Sequence, residues 1–235
     1  MEIKSLNPDN VVVHIGLAKA GSTFLQCEVF PKLENVNFYG KQIFMNRIEK
    51  DKINLFSSEA LSGILVTPYP PYKGDGFCNR FELQHRIKKL YPSARIIFVV
   101  RNKDELLHSH YREYVRQGSP LSFDEFYEIV KGELEVRFDF DFYVSFLDSL
   151  FDDVFVCSFE LLKKDKKQFV KDICDFIGVE PPIFNNNHRN RGYNDVELRF
   201  ALLVNRFVKS KLNPDGWFPK TRFFYCHKLL RFGRV

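Results

Sequence analysis

The stretch from Val11 to Leu25 reads Val-Val-Val-His-Ile-Gly-Leu-Ala-Lys-Ala-Gly-Ser-Thr-Phe-Leu and has residue types suited to holding phosphate. An apolar run leads into a turn bounded by Gly16 and Gly21, and Ser22 and Thr23 open a helical pattern. Such a turn aims backbone N–H groups and the positive end of a helix at one spot, which is how chains bind phosphate. The glycine separation is that of the Gly-x-x-x-x-Gly-Lys-Ser/Thr phosphate loop. Yet Ser22 stands where that loop has its lysine, and the lysine has moved inside the turn, to Lys19. An ammonium there reaches the bridging oxygen of a leaving group instead of straddling β- and γ-phosphates. The same glycines also suit a plain strand-to-helix connection, so the rest of the chain has to decide.

Two later stretches offer the other groups such a site needs. Arg101 follows the apolar run Arg95–Val100, and Ser109 comes about two turns into the next helix. An arginine fork and a hydroxyl aimed at one point suit a phosphate dianion, although an arginine at a strand end also serves as a surface ion-pair partner. Ile53–Phe56 runs into Ser57-Ser58-Glu59-Ala60-Leu61-Ser62. Read from the residues alone, Glu59 suits an acid that complements a helix start behind a serine cap. Two of the apolar strands lead to Arg101 and Ser158, whereas phosphoryl transfer with Mg²⁺ wants a carboxylate at a strand end. The pattern suits chemistry without a metal.

The Lys19 turn, the Arg101–Ser109 pair with Tyr111 behind it, and Val154–Leu162 followed by Phe176-Ile177-Gly178 come in one order along the chain. In that order and at those separations they resemble the sulfotransferase family that uses 3′-phosphoadenosine 5′-phosphosulfate, across residues 10–195. The Ser57-Ser58-Glu59 segment is similar to the bacterial and carbohydrate-sulfating branch. The resemblance implies that Lys19, Ala20, Gly21, Ser22 and Thr23 hold the 5′-phosphosulfate and that Lys19 stabilises the leaving oxygen. It implies that Arg101 and Ser109 hold the 3′-phosphate, that Arg189 or Arg191 adds a further donor contact, and that the product is 3′,5′-adenosine bisphosphate. Glu59 takes the base position, with His85 and His110 as stand-ins, and Glu160 receives no catalytic role. Two other readings compete. A nucleotide or small-molecule kinase needs a Gly-Lys-Ser/Thr loop and a metal-holding carboxylate. A non-catalytic nucleotide-binding protein of the same fold would have lost Lys19 or the base, and both positions are filled.

The acceptor side is read from residues 62–80, a stretch rich in proline and glycine that follows Glu59 directly. Tyr69 and Tyr72 offer flat faces to sugar rings, and Lys73 and Arg80 offer charge to an acidic or sulfated chain. A carbohydrate hydroxyl is therefore the expected acceptor.

Strand-like and helix-like segments alternate along the chain, which predicts a three-layer α/β/α fold with a central, mainly parallel sheet and ligands at the strands' carboxyl ends. Val11–Ile15, Val36–Tyr39, Ile53–Phe56, Arg95–Val100 and Val154–Cys157 read as strands, the last two as buried ones. Ser22–Leu33, Phe81–Leu90, Asp104–Gln117, Phe123–Lys131, Phe140–Leu150, Asp165–Ile177 and Val196–Lys211 read as helices. At 235 residues and 45% hydrophobic content, one sulfotransferase domain over 1–235 is expected. The 26 phenylalanines would fill the core. Five cysteines without a Cys-x-x-Cys pair argue for buried free thiols rather than disulfides or zinc. A net charge of +5 without a dense basic stripe argues against nucleic acid as a partner. The chain shows no leader-like or membrane-spanning run, so a cytoplasmic location is expected. The basic, aromatic extension 212–235 could touch a membrane surface.

Overall fold

Five strands form one sheet: β1 (Val11–His14), β2 (Val36–Gly40), β3 (Ile53–Ser57), β4 (Arg95–Val100) and β5 (Val154–Ser158). The computed structural model describes residues 10–43, 48–63, 75–184 and 192–219, with 75–79 as backbone alone. The sheet order is β2-β3-β1-β4-β5, and every pairing is parallel. Val12 pairs with Leu55 on one side and with Arg95 on the other, which fixes the register of the centre. β1, rich in β-branched valine, is wholly buried, as strands covered on both faces must be. β5 departs from the expectation of a buried strand. It lies at the sheet edge, where Val156 is 37% exposed and only Cys157 is buried.

Helices flank the sheet. α1 (Ser22–Phe24) is a single α-turn that widens into a π turn at Leu25–Val29 and tightens into a 3₁₀ turn at Phe30–Lys32. The expected regular helix from Ser22 to Leu33 is therefore a composite. Pro31 has no N–H to give to the carbonyl four residues back, so the last turn cannot stay α-helical. α2 (Asp75–Leu90) begins inside the stretch expected to be loop, so that loop ends before Asp75. α3 (Lys103–Arg116), α4 (Phe123–Arg137) and α5 (Phe140–Leu150) follow, and then α6 (Phe159–Lys164), α7 (Lys166–Ile177) and α8 (Asp195–Asn205). Local chemistry sets their ends. Asp139, Ser158 and Asp165 accept first-turn N–H groups of α5, α6 and α7. Gly178 stops α7 at φ +85, and its N–H and that of Val179 both donate to Cys174 O.

The chain divides into two compact units. The first is drawn from the described residues of Met1–Leu65, Gly74–Lys103 and Arg137–Arg189 and holds the sheet. Aromatic contacts join its layers: Phe98 of β4 meets Tyr143 of α5 at 5.3 Å, and Phe81 of α2 meets Phe146 of α5 at 4.9 Å. The phenylalanine count is spent largely in such contacts. The second unit holds α4 up to Val136, α8 and α3 from Asp104 on. There Arg112 pairs with Asp195 at 2.9 Å, and buried Asn205 donates to Val115 O and Ser119 O. Asn213 donates to Asn205 O, which ends α8 six residues before the expected Lys211. Among the described cysteines, Cys157 and Cys174 are buried thiols, while Cys27 is exposed.

Candidate functional site

β1 is the pivot of the sheet. The chain leaves it towards β2 and β3 on one side and then crosses to β4 and β5 on the other. Open parallel sheets bind ligands outside the carboxyl ends at such a reversal. Three neighbouring strand ends therefore frame the candidate site: β1 running into the Lys19 turn, β3 into Glu59, and β4 into Arg101.

The turn after β1 is built around left-handed residues. Ile15 N still donates to Ile97 O at 3.0 Å, and then Gly16 turns at φ +35, Lys19 at φ +69 and Gly21 at φ +87. Ala20 N closes the turn on Leu17 O. A Cβ on Gly16 would lie 2.8 Å from Ser22 Oγ and 2.9 Å from His14 Nε2, so only glycine fits there. A Cβ on Gly21 would lie 2.6 Å from Leu162. A left-handed lysine is costly, and such strain persists only where its surroundings hold it. Arg101 supplies that hold. Its Nη1 donates to Lys19 O at 2.6 Å, and its guanidinium lies 4.5 Å over the Phe159 ring. Gly21 opens α1 without a side-chain cap, so the first-turn N–H groups are not covered by an N-cap side chain. Backbone of this shape binds anions.

The end of β3 carries the acid. Ser58 N continues the ladder onto His14 O, and Glu59 opens a 3₁₀ turn through Ser62. Glu59 Oε1 accepts from Lys41 Nζ at 2.6 Å, and Oε2 accepts from Gln26 Nε2 at 3.1 Å. Partial burial pushes the Glu59 carboxyl up. The hydrogen bonds from Lys41, its own backbone and Gln26, with the Lys41 charge, outweigh it and set it below the usual carboxylate range. The Gln26 amide also donates to Ser57 Oγ at 3.1 Å, and Ser57 Oγ lies 2.7 Å from His14 Nδ1. His14 is fully buried, edge-on to Phe30, and burial pulls its pKa down to about 4 against the opposing pull of Glu59. The ring is neutral at physiological pH.

Beyond β4, Glu160 braces the loop. It accepts from Asn102 N at 2.9 Å and from Ser158 Oγ at 2.7 Å, tying the end of β4 to that of β5.

Of the residues expected from sequence, Lys19, Ala20, Gly21, Ser22 and Thr23 form the turn and the opening of α1, with Ala20 and Ser22 buried and Thr23 exposed. Ser22 Oγ donates to Leu17 O at 3.2 Å, which turns the hydroxyl inward to brace the loop. Ser109 lies half-exposed in the second turn of α3. Arg80 departs from its expected role. It is 2% exposed, with its guanidinium 4.2 Å over the Tyr143 ring and Nη1 on Arg137 O, and burial lowers its pKa to about 10. A charge held that way braces α2 against α5 and is not offered to an acceptor. Tyr69, Tyr72, Lys73, Arg189 and Arg191 lie outside the described residues, as does the extension from Lys220 on. Of the histidines considered as stand-ins, His85 packs against Phe146 and His110 is buried on α3. Sequence reasoning missed Gln26, Lys41 and Ser57. Gln26 had one available signal, a polar side chain four residues after Ser22 and so on the same helical face.

Among the described residues no group of three or more His, Cys, Asp or Glu could hold a metal, and no helix is long and apolar enough to cross a membrane. The model of the Sulfotransferase family matches residues 33–182. No curated protein sequence matches the chain. Among solved structures, a sulfotransferase from Alicyclobacillus acidocaldarius is similar in fold, at 18% identity over 83% of this chain and 90% of that one, with a TM-score of 0.52. The sulfotransferase domain from the curacin biosynthetic pathway aligns at 13% identity over 74% of this chain and 75% of that one, with a TM-score of 0.43. A mouse sulfotransferase complexed with PAP aligns at 16% identity over 93% and 74%, with a TM-score of 0.42.

Proposed function

This chain belongs to the sulfotransferase family, and we propose that it moves the sulfuryl group of 3′-phosphoadenosine 5′-phosphosulfate to a saccharide hydroxyl. The observation that carries the proposal is the convergence of three strand ends at the sheet's pivot. Lys19 stands in a left-handed turn clamped by Arg101, and Glu59 stands just past the end of the adjoining strand β3. The residues fit such a donor: glycines at positive φ where a Cβ would crowd its neighbours, a first helical turn without a side-chain cap, and an arginine already seated on the loop.

When bound, the donor supplies a sulfuryl group on an oxygen shared with its 5′-phosphate. Lys19 neutralises the charge that grows on that oxygen as the S–O bond breaks. The N–H groups of Gly21, Ser22 and Thr23 hold the 5′-phosphate, and Arg101 holds the 3′-phosphate. An arginine has five donors, and Nη1 takes Lys19 O. Glu59 takes the proton from the acceptor hydroxyl as it attacks sulfur. Its lowered pKa keeps it in the basic form at neutral pH. Of its two partners, Lys41 is 60% exposed and is the one that gives way to the acceptor. The saccharide assignment follows from a carboxylate base and from Tyr69, Tyr72 and Lys73 in the stretch after it.

The test has two stages. 3′,5′-Adenosine bisphosphate raises the melting temperature equally with and without EDTA, by the equivalent of about 2.7 kcal/mol at a hundredfold excess over Kd. Stabilisation by ATP–Mg²⁺ alone would refute donor use. Transfer of labelled sulfate is then screened over saccharides and phenols, and a preference for phenols would overturn the acceptor class. Glu59→Gln lowers turnover about 10²–10⁴-fold with bisphosphate affinity unchanged.

A further inference from the structure

We propose that Gln26 is a positioning residue for Glu59: its amide, anchored on Ser57 and through Ser57 on buried His14, fixes Oε2 and leaves Oε1 to meet the acceptor. The proposal rests on the reading of Glu59 as the base.

The hydrogen bonds fix which way the Gln26 amide faces. An ionised carboxylate only accepts, so the Gln26 amide must turn its NH₂ towards Glu59 Oε2, at 3.1 Å. The same nitrogen lies 3.1 Å from Ser57 Oγ and 3.3 Å from Ser57 O, so its second N–H goes to Ser57. Ser57 Oγ in turn shares a hydrogen bond with His14 Nδ1, 2.7 Å away. The other ring nitrogen, Nε2, is fully buried, has no hydrogen-bond partner among the described residues, and lies beneath Gly16. The chain of bonds thus runs from the floor of the Lys19 turn, through β1, β3 and the π turn that carries Gln26, to one oxygen of the base.

The two oxygens of Glu59 are held differently. Oε2 is tied to a buried network, whereas Oε1 faces Lys41, a side chain mostly in solvent. An acceptor hydroxyl displaces the solvent-side partner and not the buried one. Gln26 therefore selects which oxygen works and the direction in which it points. A carboxylate held on one side only would swing, and misplacement of a catalytic group by about 1 Å can cost 10²-fold in rate.

The test is Gln26→Met, which keeps length and apolar bulk and removes the N–H groups. Turnover falls about tenfold or more, bisphosphate affinity by calorimetry stays at the wild-type value, and the acid limb of the kcat pH profile moves to higher pH. The limb moves because a hydrogen bond that favoured the ionised carboxylate is gone. Gln26→Ala removes the same N–H groups without adding bulk and serves if the Met variant does not fold. Combined with Glu59→Gln, either substitution adds little further loss. An acid limb that stays in place overturns the proposal, whatever kcat does, and so does a loss of bisphosphate affinity as large as the loss in kcat. If Glu59→Gln retains wild-type turnover, the base assignment fails first. If Glu59→Gln is inactive and the Gln26 variants match wild type, only the positioning role fails.

Discussion

His14 should make this protein acid-sensitive in a window set by one buried ring. In the folded chain burial pulls its pKa from 6.5 to about 4. Above pH 6.5 the ring is neutral both folded and unfolded, and it adds no pH dependence. Below pH 6.5 the unfolded chain takes up a proton that the folded chain refuses until about pH 4. Stability is therefore complete above the unfolded value and is lost as pH falls towards the folded one. Each pH unit in the window costs about 1.4 kcal/mol, so the whole window costs about 3 kcal/mol. That is a large part of the stability of an ordinary domain. The perturbation is His14→Gln, which keeps a hydrogen-bonding group beside Ser57 and does not titrate. At pH 7.5 the variant is less stable than wild type, because the edge contact with Phe30 is lost. As pH falls to 4.5 the gap narrows and then reverses, since only wild type carries the ring's penalty. Urea unfolding followed by far-ultraviolet circular dichroism at several pH values gives the difference, in which the common carboxylates cancel. The His14 ring-proton resonance provides a second readout and should stay at its neutral position through pH 5. A stability gap that does not change between pH 7.5 and 4.5, or a ring that titrates near 6.5, would refute the reasoning.

Three further outcomes are expected. Lys19→Ala lowers turnover more than tenfold while bisphosphate affinity changes little, because its charge matters most as the leaving oxygen develops; equal losses in both would refute that role. Arg101→Ala releases the Lys19 carbonyl, and since a charge-assisted hydrogen bond is worth about 1.5–3 kcal/mol, bisphosphate affinity falls about ten- to a hundredfold by calorimetry. Gly16→Ala puts a methyl group against Ser22 Oγ and the His14 ring at a positive φ, so it costs about 1–3 kcal/mol of stability, and an unaltered melting temperature would count against the geometry of the turn.

The parts of the fold legible in sequence were those fixed by neighbours along the chain. Apolar valine and isoleucine runs read directly as β1 and β4, and Gly178 marked the end of α7. The Gly16–Gly21 turn was legible because backbone conformation dictates glycine. What sequence could not show was tertiary placement. β5 has the composition of a buried strand, but sheet order makes it an edge. Arg80 stands beside a Gly- and Pro-rich run and looked like loop charge, yet α2 turns it onto the face of Tyr143. Ser22 looked like a ligand hydroxyl, and its short reach back to Leu17 O is visible only once the turn is closed. The partners of Glu59 come from a helical turn and a strand-end loop far apart in sequence, and no local pattern links Gln26 or Lys41 to it.

The position of β1 in the sheet has a consequence for how the molecule comes into being. Parallel pairing has no hairpin shortcut, so each neighbour of β1 must be delivered by a long crossover. β3 reaches one side, but the other stays open until Arg95–Val100 has been synthesised. A nascent chain thus carries a bare Val11–Val13 edge for much of its translation, the kind of surface on which chaperones act and aggregates nucleate. Arg101, which clamps the Lys19 turn, arrives with that same late strand. The β1–β4 pairing and the clamping of the Lys19 turn wait on the same strand, so a chain truncated before β4 lacks both.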